Sequence, residues 1–192
     1  MARISPATPQ QWTPEMREFF DGFRTTVAAD PQRAGKAGLN LVGTLARYPA
    51  LAMPFLSFNA HLLSGTSLTD RQRELLVLRV ASVRRSDYEW AQHVILAETA
   101  GMTKDEILRV ADGPGASEWS SLERSLLSAV DELLADGMVS ELTWSALAQE
   151  FNTEQLMDMV FTVGCYSMLA MALRSFDVNP EPELAPYLPA VR

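Results

Sequence analysis

The chain is poor in the groups that most often carry chemistry. Its 192 residues include one cysteine, Cys165, and two histidines, His61 and His93. One thiol cannot close an internal disulfide and fits a reducing compartment, so a cytoplasmic setting is expected. Basic charge is in the minority, with 16 Lys and Arg against 24 Asp and Glu and a net charge of −8. That balance argues against nucleic acid or an anionic membrane as the main partner. The opening "MARISPATPQQWTPEM" has no apolar core of signal-peptide type. The longest uncharged apolar run, Val160 to Leu173, is too short to span a bilayer. No convincing period-2 pattern is present, so strands are not expected.

Helix starts, by contrast, are plentiful. A Ser, Thr or Asn followed three residues later by Glu or Gln is a capping box, which satisfies two backbone donors that the first helical turn leaves unpaired. The pattern occurs at Thr69/Gln72, Ser86/Glu89, Thr103/Glu106, Ser120/Glu123 and Asn152/Gln155. Thr13 with Pro14 makes a cap plus first-turn proline, and Pro49 opens another helix. Apolar residues at helical period follow each start. The spacing predicts an all-α chain with helices over 14–29, 40–47, 49–63, 70–84, 87–100, 103–111, 121–136, 141–150 and 153–175. After 177 the tail carries four prolines in its last thirteen residues. It is expected to be an extended arm and not a helix, lying over its own domain or a neighbour's.

Part of the chain is written twice. "LTDRQRELLVL" (68–78) resembles "WSSLERSLLSA" (119–129), and "TKDEIL" (103–108) resembles "NTEQLM" (152–157) at nearly the same offset. A duplicated helical unit buries a shared core that neither copy forms alone. The second copy has Ser125 where the first has Glu74, and it has no histidine, so any acid–base chemistry belongs to the first.

The segment "SDYEWAQH" (86–93) holds that chemistry. On a helical wheel that starts at Glu89, the inward stripe holds His93, Ser86, Ala97 and Ala100, all within a quarter turn of Glu89. Asp87 and Glu98 fall on the opposite side, close to half a turn away. Glu89 and His93 therefore point away from water, over small residues that leave room. On the preceding helix Glu74 shares a stripe with Val77, Leu78 and Ala81, where a lone carboxylate is costly. It needs a partner, and an inward-facing His93 is the candidate. Ser86 with Glu89 also reads as a plain capping box, and a Glu–His pair four apart is often only a surface contact. His61 sits near a helix end where the dipole favours it, a structural role.

These residues resemble the carboxymuconolactone decarboxylase and alkylhydroperoxidase D-like family, most closely over 68–110 and more loosely over 40–176. The peroxidase branch carries a Glu and, twelve positions later, a Cys-x-x-Cys-x-x-x-His run. Here Glu74 is followed twelve positions later by Ser86, with Glu89 and His93 in the same frame. Ser86 and Glu89 thus stand where the two cysteines of a dithiol peroxidase would be, and neither supports thiol redox chemistry. Cys165, in "VFTVGCYSML", reads as a buried core thiol.

The decarboxylase branch, by resemblance, works without metal or organic cofactor on a small carboxylated lactone. The resemblance implies a single domain over 1–192, with a core over 40–176, a helical extension over 1–39 and a proline-rich arm over 177–192. It implies His93 as proton donor, Glu74 orienting it and Glu89 holding a second proton, with Ser86, Arg84 and Arg85 as substrate-binding residues, the arginines meeting a carboxylate. Rival readings are a peroxidase-type redox protein using another thiol and a non-catalytic helical oligomer that binds a small ligand. A metal held by Glu74, Glu89 and His93 has weak support from one His and two Glu.

Residues 153–175 are apolar on more than one face, which calls for cover on both sides. A homo-oligomer is expected, trimer or hexamer by resemblance, with a dimer also open.

Overall fold

A computed structural model of the chain describes residues 2–27 and 38–189. Nine α-helices follow one another among the described residues, with no strand: α1 (Pro14–Val27), α2 (Leu39–Leu45), α3 (Pro49–Ala60), α4 (Asp70–Arg84), α5 (Asp87–Thr99), α6 (Lys104–Asp112), α7 (Ser121–Asp136), α8 (Glu141–Ala148) and α9 (Thr153–Phe176). Each expected helix is present within two or three residues of its expected bounds. The end of the first, residues 28–29, and the last three residues of the tail lie outside the described residues.

Four of the five expected capping boxes form, at Thr69, Thr103, Ser120 and Asn152. Such caps are worth about 1 kcal/mol each. The fifth does not: Ser86 precedes α5 but its side chain makes no capping hydrogen bond. The cause is the turn before it. Arg85 closes α4 in the left-handed region at φ 53, and the Ser86 amide donates to Ala81 O at 2.8 Å. Ser86 is left at φ −96, ψ 87, with its hydroxyl buried instead of capping the helix.

Two other segments depart from expectation. α3 stops at Ala60 and the chain widens into a π turn over His61–Gly65, where His61 Nε2 lies 3.0 Å from Asp158 of α9. The tail contains a short 3-10 turn, Pro182–Tyr187, with Pro182 in a first-turn position that needs no backbone donor. It lies on its own domain. Leu184 is buried, and Glu181 accepts hydrogen bonds from the Tyr88 hydroxyl at 3.0 Å and the Asn40 amide at 2.8 Å.

α4 is the axis of the fold and packs against α5, α6, α7 and α9. Leu76, Val77 and Val80 enter one core with Leu126, Val130, Met159 and Val163. Leu75, Leu78 and Ala81 enter a second with Trp90, Val94, Ile107 and Leu127. α4 is buried along most of its length, which is why the charged residues within it are so informative. Arg71 and Arg79 serve the fold. Arg71 joins Glu106 and Glu123 at the starts of α6 and α7, and its hydrogen bond holds Glu106 down at about 2. Arg79 forks onto Asp131 at 2.7 and 2.8 Å and bonds the Ala111 carbonyl at the end of α6.

The N-terminal layer of Trp12, Met16 and Phe20 packs on Val42, Ala52 and Leu56. It is pinned at Gly43, where a Cβ would stand 2.6 Å from the Ala7 carbonyl.

α9 is long and apolar enough to cross a bilayer by length and composition, longer than the uncharged run read from the sequence. Yet 56% of its most apolar window is buried inside the fold. Its remaining face, Met157, Phe161, Met168 and Met171, is exposed.

Candidate active site

Glu74 is the most enclosed charge-bearing residue of α4, at 0% exposure. A carboxylate there is tolerable only if both oxygens find donors. They do: Arg73 Nε donates to Oε1 at 2.8 Å and His93 Nδ1 donates to Oε2 at 2.7 Å. Arg73 Nη1 continues outward to Asp70 at 2.8 Å. A line of charge thus runs from the surface at Asp70 through Arg73 and Glu74 to His93. Because Nδ1 faces a carboxylate, the network assigns its proton there and leaves Nε2 as the basic nitrogen. The ring meets Tyr166 of α9 edge to face, with centroids 4.9 Å apart. Burial, aided by the Glu74 charge, pushes the Tyr166 hydroxyl well above its ordinary value. A histidine held this way by a buried carboxylate can take up and return a proton.

Glu89, one turn before His93, is in the opposite condition. It is 2% exposed and neither oxygen has a hydrogen-bond partner; Ser86 Oγ and Thr162 Oγ1 are likewise buried and unpartnered. Burial pushes the Glu89 carboxyl up to about 8 from an ordinary 4.5. The nearby Ser86 hydroxyl opposes this weakly, outside hydrogen-bonding geometry. Near neutral pH the group is mainly a carboxylic acid, a donor as well as an acceptor. The two glutamates therefore differ in kind, one a paired carboxylate and one a buried acid. Cys165 lies within the field of Glu89, with the Asn59 amide nitrogen 3.9 Å from its sulfur. Burial pushes this thiol up to about 11.

Of the residues marked from the sequence, Glu74 and His93 are brought into contact, and Glu89 and Ser86 share the interior beside them. Arg84 and Arg85 are not brought to the site. Arg84 donates to Ser167 Oγ at 3.0 Å and to the Leu134 carbonyl at 3.4 Å. There it lines a groove with Val160, Gly164 and Met171. Arg85 is exposed at the left-handed turn. The left-handed turn leaves Arg85 at the surface, while Arg84 reaches from the last turn of α4 toward α9. Among the described residues, no three of His, Cys, Asp and Glu gather as metal ligands, Glu74, Glu89 and His93 included.

Sequence reading gave no site role to Arg73, Asn59, Thr162 or Tyr166. Arg73 left a signal, a cation beside Glu74 within an otherwise apolar run. The α9 residues left none, because their place opposite α5 is a product of packing. For the same reason Cys165, assigned to the copy without acid–base groups, falls within the field of Glu89.

Residues 49–132 match the model of the carboxymuconolactone decarboxylase family. No curated protein matches the sequence. In fold the chain is similar to an uncharacterized peroxidase-related protein from Ralstonia eutropha with the alkylhydroperoxidase AhpD core. That pair has 17% identity and a TM-score of 0.77, covering 95% of this chain and 94% of that one. It is also similar to the debrominase Bmp8 in complex with 2,3,4-tribromopyrrole, at 12% identity and a TM-score of 0.76, covering 96% and 94%. A peroxidase-related protein from Silicibacter sp. gives 14% and 0.75, covering 94% of each chain. Identities this low establish a shared helical fold and nothing finer.

Proposed function

We propose that the chain, whose residues 49–132 match the model of the carboxymuconolactone decarboxylase family and hold the whole Arg73–Glu74–His93 array and Glu89, is an enzyme of acid–base chemistry. It moves a proton on a small organic molecule, in a decarboxylation or related lyase step, without calling on a thiol. The observation that carries this reading is the 2.7 Å contact of His93 Nδ1 with a fully buried Glu74. Glu74 orients the ring and stabilises the imidazolium formed when Nε2 accepts a proton, while Arg73 balances the Glu74 charge. Glu89 supplies a second exchangeable proton one helical turn away.

A lactone or carboxylate remains the preferred substrate on family grounds, but its carboxylate is not met by Arg84 or Arg85. His93 is the side chain left to face it. The site is closed, so entry requires side-chain movement. A peroxidase-type role is disfavoured by the high thiol of Cys165, since the thiolate is the reactive form.

The test is turnover of small carboxylated lactones and, in parallel, of hydroperoxides, by wild type and His93→Ala at matched helicity. Lactone turnover lost in the variant supports the reading. Hydroperoxide turnover that survives in His93→Ala and vanishes in Cys165→Ala sinks it. Ligand binding without turnover of any kind favours the non-catalytic alternative.

A further inference from the structure

The exposed residues of α9 fall on one stripe. Along it Met157, Phe161, Gly164, Met168 and Met171 follow at spacings of four, three, four and three. That alternation is the seam of a coiled coil, and it fits a second helix laid along the first. The four large side chains are each about half exposed. They leave on the order of 400 Å² of apolar surface, the size at which a patch on a single chain marks a contact surface. Phe58 of α3 extends it, packed edge to face on Phe161 with centroids 6.0 Å apart. Gly164 lies at the middle of the stripe. A glycine inside a helix is destabilising relative to alanine. No neighbour in the fold calls for it, since an added Cβ would meet no atom within 4 Å. A close approach from outside the chain accounts for it.

We propose that this seam is the docking surface for α9 of a second copy, the two helices crossing antiparallel at Gly164 about a two-fold axis. Symmetry and charge identify the occupant. In a two-fold contact, if residue i meets residue j, then j meets i. About Gly164 the stripe reads nearly alike in both directions. Met157 and Met171 stand seven residues to either side, and Phe161 and Met168 stand three and four. Antiparallel pairing therefore sets Met157 against the partner's Met171. It also brings the partner's Phe161 opposite Ser167, over the groove that Leu134, Val160, Gly164, Met168 and Met171 line. The exposed charges of α9 are Glu154 and Arg174, each ten residues from Gly164. Arg174 bonds the Arg84 carbonyl at 2.8 Å, which engages one of its five donors. Antiparallel pairing sets Glu154 opposite the partner's Arg174 at both ends, whereas parallel pairing sets like charges together. A membrane surface is the rival for an apolar helix face. It has no use for the four–three spacing or the central glycine, and the net charge of −8 opposes an anionic bilayer. Tyr166, near half a turn from Gly164, meets the His93 ring. The pairing thus backs a helix that walls the candidate site.

Cross-linking tests the arrangement. The full chain carries Cys165→Ala, so that each added cysteine is the only one, and helicity is checked for every variant. Glu154→Cys and Arg174→Cys are purified separately and as a co-expressed pair, then treated with a short bis-maleimide. Covalent dimer is expected from the co-expressed pair and not from either protein alone. Dimer from each protein alone, with none gained on co-expression, shows parallel pairing and overturns the proposal. An oligomer in sedimentation that gives no cross-link in any sample pairs through another face and overturns it as well. Gly164→Leu has room within its own fold, so it should keep its helicity and lose the oligomer. An oligomer that survives in Gly164→Leu contradicts the close crossing. Wild type that sediments as a monomer, yet floats with vesicles of phosphatidylcholine and phosphatidylglycerol, assigns the face to a membrane and ends the reading.

Discussion

Replacing Glu89 by Gln tests whether a buried, unpaired acid occupies the interior, and it needs no substrate. Folded Glu89 holds its proton up to about pH 8, whereas the ordinary side chain releases it near 4.5. Between those values the native state binds more protons than the unfolded chain, so stability falls as pH rises. The contribution is fully present below pH 4.5 and lost once pH passes about 8. One pH unit in this window is worth about 1.4 kcal/mol, so Glu89 alone removes about 3 kcal/mol between pH 5 and pH 7. Gln has nearly the shape of the neutral acid and does not titrate. Urea unfolding of both proteins at half-unit steps from pH 5 to pH 9, at one protein concentration, isolates the term as a difference. Wild type should lose about 3 kcal/mol relative to Glu89→Gln from pH 5 to 7, and the difference should level off above pH 8. A flat difference across the series would mean that Glu89 is ionised or solvated, and the acid-donor reasoning would go with it.

Glu74→Ala leaves Arg73 and His93 without their buried partner and should cost about 3–5 kcal/mol in urea unfolding. Glu74→Gln should fold more stably than Glu74→Ala yet lose turnover, and an active Glu74→Gln contradicts the role given to the carboxylate. Cys165, held up at about 11, should have only about a thousandth of its thiol ionised at pH 8. Iodoacetamide labelling should therefore be slow in the native protein and fast in urea, with Cys165→Ala active; rapid native labelling contradicts the buried placement. The exposed face of Met157, Phe161, Met168 and Met171 should be covered by another copy. Sedimentation at low micromolar concentration should show a homo-oligomer, dissociated by Phe161→Glu, and a well-folded wild-type monomer is the contrary result.

The all-α class, the helix bounds and the Glu74–His93 pairing follow from the sequence because each rests on local rules. Caps mark helix starts with side-chain chemistry only three residues apart, and a carboxylate on an apolar stripe demands a partner wherever the chain goes. The wheel for α5 needs only the 3.6-residue period. What lay beyond the sequence depends on how helices meet. Ser86/Glu89 and Thr69/Gln72 are the same pattern, yet Thr69 caps its helix while Ser86 is turned inward by a left-handed Arg85. That difference is made by the packing of α4 against α5. Arg84 and Arg85 sit beside Ser86 in sequence but are directed to Ser167 and to the surface. Tyr166, Cys165 and Thr162 join the region from 69 or more residues beyond His93. No periodicity within α9 says which of its faces will meet α5. Tertiary structure decided that, because the choice among several apolar faces is settled only by what the rest of the chain leaves uncovered.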